Sequence, residues 1–163
     1  MRIFSWLPFL VVALSTVMCA ASRTASSVGQ YTTEVGLATE FDAVDKTRRL
    51  LDRHHYELFR EENDASGIYF ETRWKERQPF EDELFLGITA ARTRLIIRAR
   101  PKSRFGTGMS VNYRIKFFAE NEVLTQAAGE WTREPLSTEL KNYLKMIANE
   151  FKTEFKTGGL RRY

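Results

Sequence analysis

Between Leu136 and Lys156 the apolar residues Leu136, Leu140, Tyr143, Leu144, Ile147, Phe151 and Phe155 recur at steps of one, three and four. That spacing lines one side of an α-helix. Lys141, Asn142, Lys145, Asn149, Glu150, Lys152 and Glu154 make the opposite, solvated side. Ser137 is placed to cap the start and Gly158-Gly159 to end it, with Lys152 and Lys156 near the negative end of the helix dipole. Such a helix draws most of its stability from burying its stripe, so the rest of the chain has to supply an apolar face.

That face reads as β-structure. Met109 to Glu120 alternates, with Met109, Val111, Tyr113, Ile115, Phe117 and Ala119 on one side and Ser110, Asn112, Arg114, Lys116 and Glu120 on the other. Thr93 to Pro101 alternates as well, and so does Ile68 to Lys75, with Ile68, Phe70, Thr72 and Trp74 on its apolar side. His55 to Glu61 and Val123 to Gln126 are further strand candidates, and Leu84 to Thr89 fits either a short strand or a loop over the sheet. Turn signals stand at Asn63 to Gly67, Gln78-Pro79, Gly106 to Gly108 and Asn121-Glu122. A helix over Glu40 to Arg53, capped by Thr39, turns Phe41, Val44, Leu50 and Leu51 inward. Short connections imply antiparallel pairing. The expected fold is α+β: a two-layer sandwich in which an antiparallel sheet of about four to five strands packs against a long C-terminal helix and a shorter N-terminal one.

The chain has 163 residues and only one cysteine, with 43% hydrophobic and 28% charged residues. This fits one globular domain whose core holds without disulfides. The net charge of +4 is a modest surplus over 21 acids. It describes a mixed surface rather than a nucleic-acid footprint, and no nucleic-acid partner is expected.

Ile3 to Ala21 is a run of nineteen residues without a charge, bounded by Arg2 and Arg23. Its length suits a membrane span, and its small residues at Ala20, Ala21 and Ser22 suit a secretory signal. Cys19 sits near its end. This placement resembles the lipid-attachment cysteine of bacterial lipoproteins, although Thr16, Val17 and Met18 before it depart from that family's usual Leu, small residue, Gly or Ala pattern. The resemblance implies acylation at Cys19 and cleavage just before it; plain cleavage and a retained span are the alternatives. Residues 22–36 begin Ser/Thr-rich and read as a flexible linker. The expected organisation is a signal or anchor at 1–21, a linker at 22–36 and a single domain at 37–163.

No catalytic or metal motif stands out. His54-His55 lacks a third ligand at useful spacing. The acidic groups Glu61, Glu62, Asp64 and Glu81, Asp82, Glu83 fall at turns, where solvation explains them. Gly106-x-Gly108 lacks the length and the Lys-Ser/Thr of a phosphate loop. The most suggestive surface is basic: Arg92, Arg94, Arg98 and Arg100 share the outer side of one strand, and Arg114 and Lys116 that of the next, with Lys102 and Arg104 at the edge. If the strands pair, these residues can dock an acidic protein or anionic headgroups, unless Glu71, Glu120 and their neighbours neutralise them. Tyr69, Trp131 and Tyr163 are candidate interface anchors, whereas Trp74 and Phe117 are expected in the core.

In outline the chain is similar to accessory and assembly lipoproteins of bacterial envelopes. The expectation is a non-enzymatic, cofactor-free protein, a lipoprotein or single-span accessory subunit tethered to a membrane with its domain outside the cytoplasm, that scaffolds or stabilises a larger envelope or inner-membrane complex. The alternative is a periplasmic binding module that holds a lipid or other small hydrophobe in a pocket lined by Tyr113, Phe117 and Phe151.

Overall fold

The computed structural model describes residues 28–102 and 112–158. The expectations about Cys19 and the apolar run, the first residues of the linker, Arg104, the Gly106 to Gly108 turn, the strand start at Met109, Gly159 and Tyr163 lie outside them.

The chain is α+β, with a seven-stranded antiparallel sheet, a long C-terminal helix and two shorter helices. In order, the elements are β1 (Gln30–Ala38), α1 (Glu40–Arg53), β2 (Leu58–Asp64), β3 (Gly67–Thr72), β4 (Lys75–Arg77), α2 (Glu81–Leu84), β5 (Ile88–Pro101), β6 (Tyr113–Thr125), β7 (Trp131–Thr132) and α3 (Thr138–Gly158). The strand order is β1-β6-β5-β3-β2, with β4 added to β5 and β7 to β6. The long hairpin of β5 and β6 is the spine. Its register sets Leu95 opposite Ala119, Ile97 opposite Phe117 and Ala99 opposite Ile115.

Those residues form the inner face, and α3 covers it. Leu140, Leu144, Ile147, Ala148, Phe151 and Phe155 are buried there with Val35, Phe70, Leu95, Ile97, Ile115 and Phe117. The ring centroids of Phe117 and Phe151 lie 5.4 Å apart. Ser137 caps α3, its hydroxyl accepting the Leu140 N–H at 3.1 Å.

Four sequence expectations change. First, β1 occupies Gln30–Ala38, so much of the stretch read as linker is an edge strand. Thr and Tyr are strand formers as well as tether residues, and here Tyr31 packs edge-on against Phe117. Second, β6 runs unbroken through Asn121-Glu122; Asn121 is buried and its N–H bonds to the Gly29 carbonyl at 2.9 Å. Third, Trp74 is not core. The ladder lapses between β3 and β4, which frees Trp74 to lie on the outer face. Fourth, α1 buries Ala43, Lys46, Thr47, Leu50 and Leu51, while Phe41 stays exposed. Lys46 runs its stem through this contact and donates to the Glu154 carbonyl of α3 at 3.0 Å. The count of strands rises from about five to seven because β1, β4 and β7 are short or polar.

At Gly36, α3 comes close to the sheet. Its φ is +146°, and an added Cβ would stand 3.2 Å from the Phe155 Cβ. Only glycine takes that backbone conformation without strain. G36A should therefore lose about 1–3 kcal/mol of stability in urea denaturation. An unchanged midpoint would contradict this seating of α3 on β1.

Candidate functional site

The outer face of the sheet carries the cations singled out in the sequence, and the β5–β6 register divides them into two kinds. Toward the α2 end, opposite charges face one another: Arg92 pairs across the strands with Glu122, and Arg94 with Glu120. Toward the other end, like charges face one another: Arg98 stands opposite Lys116, and Arg100 opposite Arg114. The same two strands thus change from mutual neutralisation to mutual repulsion within four residues.

The neutralised half is tightly knit. The Arg92 Nη2 lies 2.6 Å from a Glu122 carboxylate oxygen. Arg94 donates to Glu71 at 2.6 Å and to Glu120 at 2.8 Å, and Arg133 reaches Glu120 at 3.1 Å. The guanidinium of Arg92 is sandwiched between Trp74 and Trp131, 4.9 and 4.3 Å from the ring centroids, and Arg94 lies 4.8 Å from Trp74. Partly desolvated cations over indole faces, held by carboxylates, are strong contacts. They hold the sheet together and leave little charge to offer a partner. Tyr69 closes this network by donating to Glu71 at 2.9 Å. Burial, then the Glu71 carboxylate, raises its phenol pKa.

The unneutralised half is concave. Arg98, Arg100, Pro101, Lys102, Arg114, Lys116 and Phe118 surround a hollow of about 370 Å³. Among the described residues, no carboxylate comes within ion-pair distance of Arg98, Arg100, Lys102 or Lys116. Arg114 has one loose contact, 3.7 Å from Glu34, with both side chains half exposed; such a pair contributes little. Arg98 lies against two rings, 5.0 Å from the Phe118 centroid and 5.4 Å from that of Tyr69. Opposed like charges are destabilising, by roughly 1 kcal/mol at 4 Å in water. A shallower depression of about 220 Å³ on the β2–β3 side shares Arg98 and Arg100 but adds Glu62 and Asp64, so positive charge is densest over β5 and β6.

No protein-family model matches the sequence, and no curated protein is significantly similar to it. Five cationic side chains around an open hollow bind anions through charge and multiple N–H donors. The flanking Phe118 adds an apolar surface.

The other clusters have structural work. Glu61 binds Arg48 at 2.8 Å, Glu62 binds Arg60, and Asp64 accepts the Ser66 hydroxyl and N–H, which hold its carboxyl below the usual range. Glu83, only 2% exposed, forms two 2.6 Å bonds with Arg77, whose guanidinium also reaches Asn121 at 3.0 Å. Asp82 accepts the Glu139 N–H at the start of α3. His54 bonds Glu150 at 3.1 Å, and His55 takes a left-handed turn with φ +55°. Among the described residues, no three His, Cys, Asp or Glu side chains gather as a metal site would require. Phe117 and Phe151 are buried against each other in the core, and Tyr113 packs at its margin. Pro101 and Phe118 joined the site unannounced: Phe118 alternates outward next to Phe117, and an outward Phe in a basic face was the readable signal.

The two halves predict different mutational costs. R94A takes the shared guanidinium away from the buried carboxylates of Glu71 and Glu120, leaving Tyr69 on the one and Arg133 on the other, and should cost about 1–3 kcal/mol. R98A relieves a repulsion and should stay within about 0.5 kcal/mol of the parent. Urea denaturation compares them; equal losses would contradict the division.

Proposed function

We propose that this is a non-enzymatic, membrane-tethered accessory protein of a bacterial envelope, whose basic hollow docks an acidic segment of a larger protein assembly. The observation that carries the docking half is the like-charged facing of Arg98 with Lys116 and Arg100 with Arg114 around a concave surface. Folding alone gains nothing from it, whereas an anionic partner relieves it. The tether half rests on the uncharged run Ile3 to Ala21 and on Cys19 near its end. No helix among the described residues is long and apolar enough to cross a membrane, and that run lies outside them.

Geometry favours a protein partner over the headgroups of the tethering bilayer. The described chain enters the sheet at Gly29, beside Asn121, four residues of β6 in from the α2 end of the spine. The hollow begins at Arg98, ten residues along β5 from Ile88, which is about 33 Å of strand. A domain standing on that end presents the hollow away from the membrane.

Two experiments test the two halves. C19S should move the protein from the membrane to the soluble fraction if acylation anchors it; unchanged partitioning rejects that anchor. For the hollow, the R98E/K116E double variant of the full chain should bind a ten-residue polyglutamate peptide at least about tenfold more weakly than the parent at low salt. Its melting temperature should not fall. Equal affinity would return the cations to a role in solubility.

A further inference from the structure

A second surface, at the opposite end of the spine, is apolar. Leu84, Phe85 and Leu86 follow one another with exposures of 56%, 90% and 71%. Among the described residues, the other large exposed apolar side chains, such as Phe41 or Met146, stand singly or in the pair Leu58-Phe59. Scattered exposed apolar residues are ordinary; three consecutive ones at a protruding turn mark an interaction site.

The turn is held rigid. The N–H groups of Leu84, Phe85, Leu86 and Gly87 donate to the carbonyls of Phe80, Glu81, Glu83 and Leu84 at 2.9 to 3.2 Å. Beneath them Glu83 is locked to Arg77, and its carboxylate also accepts the Phe80 N–H at 2.9 Å. Asp82 ties the same turn to the start of α3. N–H groups already bonded within the turn lose no partner when water is removed, which lowers the cost of bringing this backbone to a lipid surface. The side chains need no rearrangement to be presented.

Position decides the occupant. Ile88, directly after this turn, pairs with Thr125, four residues along β6 from Asn121, whose N–H binds the Gly29 carbonyl. The turn and the point where the chain enters the domain therefore lie in the same half of the spine, about 13 Å of strand apart. Resting on the tethered reading above, we infer that Leu84, Phe85 and Leu86 form a preformed apolar tip that enters the lipid bilayer beside the anchor, so that the domain stands on its α2 end. A tether of seven residues from a retained span, or of ten from an acylated Cys19, keeps the entry point at Gly29 within about 25 to 36 Å of the membrane. Glu81 stands exposed next to the tip, which suits a zwitterionic surface better than an anionic one.

The test uses the full chain reconstituted into phosphatidylcholine vesicles, as the parent and as F85W. Phe85 is so exposed that an indole is accommodated without repacking. Subtracting the parent's emission removes the contributions of Trp6, Trp74 and Trp131. The proposal expects the added emission to shift to the blue and to fall by about half when the acyl chains are brominated, because an indole favours the interfacial depth. Protein that floats with the vesicles while the added emission stays red and unquenched overturns the tip and leaves the tether standing; a protein partner then becomes the tip's occupant. Parent protein that fails to float overturns the tethered reading and this inference with it.

Discussion

The contact between the stripe of α3 and the inner face of the β5–β6 spine is what everything else in this structure rests on. Phe151 against Phe117, with Leu140, Leu144 and Ile147 around them, consumes the apolar residues of one sheet face. Sheets that bury one face leave the other to water. The side chains of β5 and β6 at even positions from Arg92 to Arg100, and from Arg114 to Glu122, are thereby committed to the outside. The helix does not touch these residues, yet its packing decides which way they point.

Given that orientation, the register decides their charge state of affairs. A shift by one pair would face Arg94 with another partner and dissolve the pattern. As it stands, carboxylates from β3 and β6 gather on Arg92 and Arg94, stacked with Trp74 and Trp131, and are spent before the strand reaches Arg98. The cations that remain crowd one end. The molecule is polarised: a rigid apolar turn at the α2 end and an unneutralised basic hollow at the other. On the proposed reading, one end meets the bilayer and the other is held out to a partner.

Much of this was legible from periodicity. The α3 stripe and the alternation of Ile115, Phe117 and Ala119 each have one physical reading, and the structure follows both. Other parts were not. Gln30–Ala38 mixes Thr, Glu and Gly, and its place in the sheet depends on Phe117 and Phe155, which are distant in sequence. Trp74 continues an apolar alternation on paper, but a break in the ladder at Arg73 turns it outward. The six cations are readable as the outer faces of two strands because side-chain direction alternates along a strand, whereas which of them meet carboxylates depends on cross-strand register. The exposed Leu84-Phe85-Leu86 reads as sheet or cover, since local sequence does not distinguish apolar residues that pack from apolar residues that protrude.

The central claim is that the outer face divides between Arg94 and Arg98 into a spent half and an available half. The most direct measurement is a two-dimensional amide and arginine side-chain NMR spectrum of the full chain, recorded as an acidic peptide is added. Perturbations should gather on Arg98, Arg100, Lys102, Arg114 and Lys116, with the Arg92 and Arg94 guanidinium signals unmoved. Shifts centred on Arg92 and Arg94, or spread evenly over all cations of the surface, would contradict it.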